Sequence, residues 1–329
     1  MKVFVTSLVL GLCMVAHAFA HSPPVAQSDL SFDGRALYQA AFEIVRDKHL
    51  NLLDSGKRQE FVAQWQRKYD SGEQLKTEVG TDAAIKEMLA SQGIPFDRYF
   101  TASQTAAPNS LASEQVVSVQ QRADGVAIVT VKHFLPGDLE AQFEAALKQV
   151  SGAKAIVFDL RDNPGGRTEA GVNAVAMLMS EGKINVTILR EGNSTTRDEV
   201  AIKGPYYMIG RFRTGFGVRT PLPRPAQLIK DDVRLAVLIN GKSASASEVF
   251  AGALQVNQRA IIVGEQSLGK GVGQEIFDLP FNRRIWITTF EFRAGGVAHH
   301  GKGIMPDRIV SNSGADDTQL EEAVRAVLQ

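Results

Sequence analysis

The fold is decided by the segment AIVFDLRDNPGG at residues 155–166. Its first part is a short apolar run, typical of a strand buried on both faces, and its two glycines form a turn. Helical patterns follow at 167–180 and at 248–258. Further strands are predicted at 184–189, 235–239 and 260–263. This alternation predicts an α/β fold with a mostly parallel sheet.

The segments around this core complete the prediction. Strands at 115–121 and 126–134 flank Ala123-Asp124-Gly125, a hairpin signal. Helices are predicted at 139–150 and 316–328, and a strand at 284–292. Residues 192–228 are rich in Gly, Pro and Arg and show no clear helix or strand pattern, so this region is interpreted as a loop. Its aromatic residues Tyr206, Tyr207, Phe212 and Phe216 could line a peptide groove or serve as packing contacts.

Residues 31 to about 100 predict an N-terminal helical region. Apolar residues repeat at helical spacing in two stretches, Leu37, Ala41, Ile44 and Val45, then Phe61, Val62, Trp65 and Tyr69. A third helix carries Ala84, Ile85, Met88 and Leu89, with Thr81 as its predicted cap. Small polar residues at 101–109 predict a linker.

The first twenty residues have the pattern of a secretory signal peptide. Lys2 precedes an apolar run from Val3 to Val15, and Ala18 and Ala20 fit a cleavage site before His21. The predicted organisation is a signal peptide at 1–20, a helical region with linker at 21–109 and a core at 110–329. We therefore expect a periplasmic or secreted protein, and no later segment is apolar enough to span a bilayer.

Composition excludes several functional classes. The 329 residues contain 36 Lys and Arg against 36 Asp and Glu, which argues against a nucleic-acid partner. One cysteine, Cys13, excludes a disulfide framework. The five histidines after the signal form no H-E-x-x-H motif, so neither a metal nor another cofactor is expected. The sequence does not decide whether the protein forms a homo-oligomer.

Two segments partly match the sequence pattern of nucleotide-binding loops. AVLINGKS at 236–243 would place strand residues in the phosphate loop, and GEQSLGKG at 264–271 has Gly271 where a magnesium ligand is required. Neither motif supports nucleotide binding.

The segment GKSASASE at 241–248 joins a predicted strand to a predicted helix. Such a junction can present Ser245 close to a helix N-terminus, whose free N–H groups favour a developing oxyanion. The same residues also match a capping box, in which Ser245 and Glu248 only stabilise the helix.

A second segment, GEQSLGKGVGQ at 264–274, follows the next strand. Burial of Lys270 would favour its uncharged amine, which could accept a serine proton and return it to a leaving amine. If this stretch is extended, Gln274 shares a face with Lys270 and could orient the amine. The alternative is a solvated charge on a loop.

The third segment is the turn that contains Gly165 and Gly166. Glycines allow positive φ and close substrate approach, and their N–H groups could join that of Ala246 in an oxyanion hole. The alternative is an ordinary turn.

These three motifs, in this order and spacing, resemble those of the carboxy-terminal processing (tail-specific) proteases. The resemblance implies a crotonase-like or ClpP-like core, Ser245 as nucleophile, Lys270 as base 25 residues later, and Gln274 in support. It also implies an oxyanion hole from Gly165 or Gly166 and from Ala246. GKGIMPD at 301–307 is similar to the family's last core motif.

One departure from the family is a missing PDZ domain, for which Phe100 to Val116 leaves no room. The expected function is an exported serine endopeptidase acting on polypeptides. The alternative is a noncatalytic protein on the same fold that binds hydrophobic ligands or acts as a scaffold. A third hypothesis is a zymogen-like protease in which the loop at 192–228 must rearrange.

Overall fold

The computed structural model describes residues 31–70, 72–105, 114–191, 194–213, 216–312 and 316–329. The predicted signal peptide and residues 106–109 of the predicted linker lie outside this part. Among the described residues, no helix combines the length and apolar character that crossing a membrane requires.

Helices and strands alternate between residues 126 and 191 and again around the helix at residues 246–256, as predicted. The α-helices are α1 (Gly34–Lys48), α2 (Ser55–Trp65), α3 (Glu78–Ala90), α4 (Ala102–Thr105), α5 (Leu139–Gln149), α6 (Thr168–Ala176), α7 (Ala246–Val256) and α8 (Thr318–Leu328). The strands are β1 (Arg98–Phe100), β2 (Val117–Gln121), β3 (Val126–Val131), β4 (Ala155–Asp159), β5 (Glu181–Glu191), β6 (Ser194–Lys203), β7 (Tyr206–Arg213), β8 (Phe216–Pro223), β9 (Arg234–Ile239), β10 (Ile261–Gly264), β11 (Val272–Leu279), β12 (Arg283–Ala294) and β13 (Arg308–Ile309).

The chain divides into two compact units. Of the described residues, the first contains those up to Asn109 together with those in Ile188–Thr196 and Val272–Glu291. The second contains Ser110–Thr187, Arg197–Gly271 and Phe292–Gln329.

The second unit contains a six-stranded sheet with the strand order β13-β10-β9-β4-β3-β2. Its pairs are parallel except for the β2–β3 hairpin. Val157 of β4 packs in a cluster with Val324 of α8, whereas Phe158 contacts Phe143 of α5 and Phe250 of α7. Successive residues of a strand point to opposite faces, so helices cover the sheet on both sides. The predicted mostly parallel sheet is confirmed.

In the first unit, β12 pairs antiparallel with both β1 and β11. Ile285 and Ile287 of β12 pack in one buried cluster with residues of α1, α2 and α3, among them Phe42, Trp65 and Ile85. The sequence predicted the helices here but missed β11, whose residues were assigned only to a motif.

Two details of the helical region were wrong. Helix α3 begins after Thr77, whose hydroxyl accepts the N–H of Gly80, while Thr81 lies inside the helix and donates to the carbonyl of Thr77. Helix α2 ends at Trp65, before Tyr69, although the Tyr69 ring still contacts Tyr38. Spacing of apolar residues reports which side chains are buried, not where a helix stops.

The region at 192–228 was interpreted as a loop and contains three strands instead. Strands β7 and β8 form an antiparallel hairpin that runs from Tyr206↔Pro223 to Arg213↔Phe216. Pro221 and Pro223 obscured this strand in the sequence, because proline in a strand is tolerated where its missing N–H is not needed.

Arg161 connects strand β4 to helix α8 of the second unit. Its guanidinium binds both carboxylate oxygens of Asp317, at 2.7 and 2.8 Å, and those of Asp159 at the end of β4. Asp317 also caps α8 by accepting the N–H of Leu320. The hydrogen bond from Arg161 lowers the pKa of the Asp317 carboxyl below its ordinary value.

We predict that Asp317→Asn destabilises the protein at neutral pH, because asparagine keeps the helix cap but loses the charge. The effect should be about 1 kcal/mol, since the pair is partly exposed. A carboxyl with a lowered pKa stabilises the fold above its unfolded value of about 3.9, and this contribution disappears as the pH falls through the lowered pKa. Thermal unfolding of both proteins at pH 7 and in stronger acid measures this difference.

The neighbouring exposed residue provides the control. Asp316→Asn should unfold at the wild-type temperature at both pH values. A difference between wild type and Asp317→Asn that persists undiminished in acid would contradict the assignment to the charge.

Candidate active site

Ser245 lies in the turn that joins strand β9 to helix α7. Its φ of 57° and ψ of −117° are unusual for a residue with a side chain, and its exposed fraction is 7%. Strained backbone of this kind persists only where the surrounding structure enforces it, and it occurs at strand-to-helix turns that present a nucleophile. Ser245 is also the residue that precedes the first turn of α7.

The three serines of this turn have different roles. The Ser243 hydroxyl donates to the carbonyl of Leu160 at 2.7 Å, and the Ser247 hydroxyl donates to the carbonyl of Asn163 at 3.0 Å. Their protons therefore fasten this turn to the loop after β4. No hydrogen bond recorded for the described residues commits the proton of Ser245 to a main-chain oxygen in this way.

Glu248, in the first turn of α7, is the centre of the site. Its exposed fraction is 1%, and its carboxylate accepts four hydrogen bonds. Oε2 accepts the N–H of Ser245 at 2.8 Å and the N–H of Lys270 at 2.9 Å. Oε1 accepts the hydroxyl of Ser267 at 2.6 Å and the N–H of Gly269 at 2.7 Å. Four donors, two of them on each oxygen, offset the cost of burying this charge.

This carboxylate joins the two segments that the sequence assigned to chemistry. The main-chain nitrogens of Ser245 and Lys270 are bound to the same oxygen atom, so their separation cannot exceed the sum of the two hydrogen-bond lengths. Lys270 is half-buried. The predicted capping box of Ser245 and Glu248 is present, and its Glu248 carboxylate does more than cap the helix, because it also binds the loop of Lys270.

The motif at 301–307 supports the loop that carries Lys270. Ser267 accepts the N–H of Ile304 on its hydroxyl and donates its own N–H to the carbonyl of Ile304. At Gly303, with φ of 73°, a Cβ would lie 2.3 Å from the carbonyl oxygen of Ser267. At Gly269, it would lie 2.8 Å from the nitrogen of Gly303. These glycines permit close backbone contact.

Gly165 lies directly against the turn of Ser245. Its φ is 90°, and a Cβ there would lie 2.5 Å from the carbonyl oxygen of Ala244 and 2.7 Å from Cβ of Ser245. The N–H of Gly165 donates to Oδ1 of buried Asn163 at 2.9 Å. Asn163 in turn donates to the carbonyl of Val131, so an asparagine of the motif shapes this turn.

Gly166 follows with φ of 150°, and a Cβ there would collide with the backbone of Phe134. Within the described part of the chain, no hydrogen bond is recorded for the N–H of Gly166 or for that of Ala246, the first residue of α7. Both N–H groups can therefore donate a hydrogen bond to a ligand oxygen.

Gln274 belongs to the first unit, whereas the other site residues predicted from the sequence belong to the second. Its side-chain amide donates to the Thr288 hydroxyl at 3.2 Å, on the paired strand β12. The sequence missed the roles of Ser267 and Asn163, which a motif of small polar residues does not reveal. It named Glu248 only as a cap.

The comparisons with known proteins agree with this geometry. The sequence model of peptidase family S41 matches residues 125–310, more than half of the chain and all the site residues above. The chain belongs to peptidase family S41. The resemblance of this S41 chain to the carboxy-terminal processing proteases, inferred from its motifs, is confirmed.

Two relatives show the extent of the likeness. A carboxyl-terminal-processing protease of Picosynechococcus sp. is 36% identical to the S41 chain over 165 residues, 49% of this chain and 33% of the relative. A carboxy-terminal-processing protease of Bartonella bacilliformis is 28% identical over 270 residues, 76% and 54% of the two chains. The S41 chain thus spans about half or less of the length of these relatives.

Solved structures confirm the fold. The photosystem II D1 C-terminal processing protease matches with a TM-score of 0.67 and 19% identity, over 90% of the S41 chain and 97% of that chain. A lipoprotein from Streptococcus agalactiae matches with a TM-score of 0.65 and 13% identity, over 91% and 98%. The predicted α/β fold with an N-terminal helical region is confirmed.

We predict that Glu248→Gln strongly destabilises the S41 chain. Either orientation of the new amide places its NH2 group against two donors, and each buried group that loses its partner costs about 1–3 kcal/mol. The melting temperature should fall by at least about 5 °C, measured by thermal unfolding.

Glu321→Gln is the matched control, because this glutamate lies on α8 and its side chain is 56% exposed. Its melting temperature should stay within about 1 °C of wild type. Equal stability of Glu248→Gln and wild type would contradict the central position given to this carboxylate.

Proposed function

We propose that this protein is an exported serine endopeptidase that cleaves polypeptides through a Ser245–Lys270 dyad. The single observation that carries the proposal is the binding of both residues' main chains to one oxygen of Glu248. Membership of peptidase family S41 and the strained backbone of Ser245 support it. Export rests on the sequence of residues 1–20 alone.

In the proposed mechanism, Oγ of Ser245 attacks the carbonyl carbon of the scissile peptide. The uncharged amine of Lys270 accepts the hydroxyl proton and then donates it to the leaving amine. The resulting ester on Ser245 is hydrolysed by water, which Lys270 deprotonates in turn. The resemblance to the processing proteases assigns the supporting role to Gln274, four residues after Lys270 in the sequence.

The oxyanion is stabilised by main-chain N–H groups. The N–H of Ala246 lies at the N-terminus of α7, where the helix dipole favours negative charge. Between Gly165 and Gly166, we assign the second donor to Gly166, because the N–H of Gly165 already donates to Asn163. No metal or organic group takes part in this scheme.

We predict that Ser245→Ala and Lys270→Ala each lower the hydrolysis of casein at least about 100-fold, because each removes a group that reacts in every turnover. A fluorophosphonate probe should label wild type at Ser245. The assay compares initial rates of the purified full-length proteins at equal concentration.

Lys242→Ala is the matched control, because this lysine lies in the same turn with its side chain 80% exposed. Its rate should equal that of wild type. Full hydrolysis by Ser245→Ala, or no hydrolysis by wild type together with tight binding of a hydrophobic ligand, would overturn the proposal in favour of a binding protein.

We also predict that Gly165→Ala abolishes casein hydrolysis. A methyl group at this position would overlap the turn of Ser245 and displace the nucleophile, and φ of 90° is itself unfavourable for alanine. Gly152→Ala is the control, because no atom lies within 4 Å of the position of its Cβ. Retention of wild-type rate by Gly165→Ala would show that this turn does not position Ser245.

A further inference from the structure

Strand β8 of the second unit lies at the edge of its sheet and pairs, among the described strands, with β7 alone. The pair runs from Arg213↔Phe216 beside the connection to Tyr206↔Pro223 at the far end. An edge strand presents main-chain N–H and C=O groups that no neighbouring strand binds, and these groups can pair with a further strand. The question is which groups β8 presents and to what kind of chain.

The register of the hairpin determines which main-chain groups of β8 point away from β7. Only two residues separate Arg213 from Phe216, so this directly opposed pair exchanges both of its main-chain hydrogen bonds. Bonded and non-bonded pairs alternate from there along the two strands. The residues of β8 that direct their main-chain groups outward are therefore Gly217, Arg219, Pro221 and Pro223.

The two prolines divide this edge into a blocked half and an open half. Pro221 and Pro223 have no N–H to donate to a further strand. Gly217 and Arg219 keep theirs, so both outward donors lie in the half of β8 next to the connection. Strand addition is thereby limited to this open half.

The open half of β8 is apolar on one face and charged on the other. Phe216 and Val218 share one face and are 85% and 68% exposed. Arg219 lies on the opposite face with its side chain 65% exposed. Its guanidinium carbon is 5.8 Å from the ring centre of Phe212, and a guanidinium nitrogen is 3.7 Å from Oε2 of Glu199. An edge that only had to be protected from other chains would carry polar side chains in place of the exposed phenylalanine and valine.

The charge of the hairpin favours an acidic chain over a second copy of this protein. Between Tyr206 and Pro223 the sequence contains three arginines and no acidic residue. Two such hairpins placed edge to edge would bring like charges together, which destabilises strand pairing. A carboxylate of an added strand beside Arg219 stabilises it, and apolar side chains on the other face of that strand would cover Phe216 and Val218.

We propose that the open half of β8 binds an extended acidic polypeptide in which apolar and acidic residues alternate, and that this polypeptide joins the sheet as a further strand. Its carbonyl oxygens accept the N–H groups of Gly217 and Arg219. Its apolar side chains contact Phe216 and Val218, and its carboxylates lie on the face of Arg219. The inference goes beyond the proposed function, because it concerns binding and not hydrolysis.

The test is binding of a short fluorescein-labelled peptide in which valine and glutamate alternate. Fluorescence anisotropy is measured with the full-length Ser245→Ala protein, so that hydrolysis cannot consume the probe. We expect saturable binding, which the additional substitution Arg219→Glu weakens about 5- to 20-fold, because it reverses the charge on that face. A peptide of alternating valine and lysine should bind Arg219→Glu more tightly than the parent protein, which also shows that this variant is folded.

Arg325→Glu is the matched control, because it changes the net charge equally and lies on α8 with its side chain 63% exposed. Its affinity for the valine–glutamate peptide should stay within about twofold of the parent protein. A loss equal to that of Arg219→Glu would show attraction to the net charge of the protein and would overturn the proposal.

Peptides with methylated main-chain nitrogens test the strand pairing itself. Successive residues of an added strand direct their N–H groups alternately toward β8 and away from it. Methylation at all residues of one type, either the glutamates or the valines, should therefore abolish binding, while methylation at the other type leaves the affinity within about threefold. Equal effects of the two methylated peptides would contradict strand addition.

A second copy of the chain is the alternative occupant of this edge. A dimer, detected by sedimentation, that the valine–glutamate peptide dissociates would assign β8 to self-association and overturn the proposal. Absence of saturable binding of the peptide would overturn it as well. Because binding is measured without hydrolysis, these outcomes are distinct from those that decide the proposed function.

Discussion

One buried carboxylate is the interaction on which the candidate active site depends. Glu248 accepts from Ser245 and Lys270 on one oxygen and from Ser267 and Gly269 on the other. Glutamine would supply a donor where an acceptor is needed, and aspartate would be one methylene shorter. Charge, length and acceptor number together make glutamate the side chain that this arrangement requires.

The site also depends on close contacts between main-chain segments, which only glycine permits at these positions. Gly165 lies so near the turn of Ser245 that no side chain fits, and Gly303 has the same relation to the loop of Lys270. Such contacts place N–H groups at fixed positions without long side chains between them. The family motifs are therefore partly chemistry and partly packing: Ser243, Ser247 and Asn163 hold the loops that present Ser245.

Hydrogen-bond direction adds information that shape does not contain. In the first unit, Asp97 accepts three hydrogen bonds, so the hydroxyl proton of Thr288 points at its carboxylate. The Thr288 oxygen can then only accept, and the amide nitrogen of Gln274 donates to it. Residues far apart in sequence, such as His49 and Gln274, thereby influence one another through contacts that are invisible to motif comparison. None of these links was predicted.

The sequence by itself determined the mostly parallel sheet, the N-terminal helices, the family and the identity of the site segments. These follow from local patterns, because apolar periodicity and glycine turns are written in neighbouring residues. Tertiary structure alone decided the end of α2, the strands at 192–228, the second role of Glu248 and the orientation of the Gln274 amide. Each of these depends on donors and neighbours brought together from distant parts of the chain, which a local pattern does not encode.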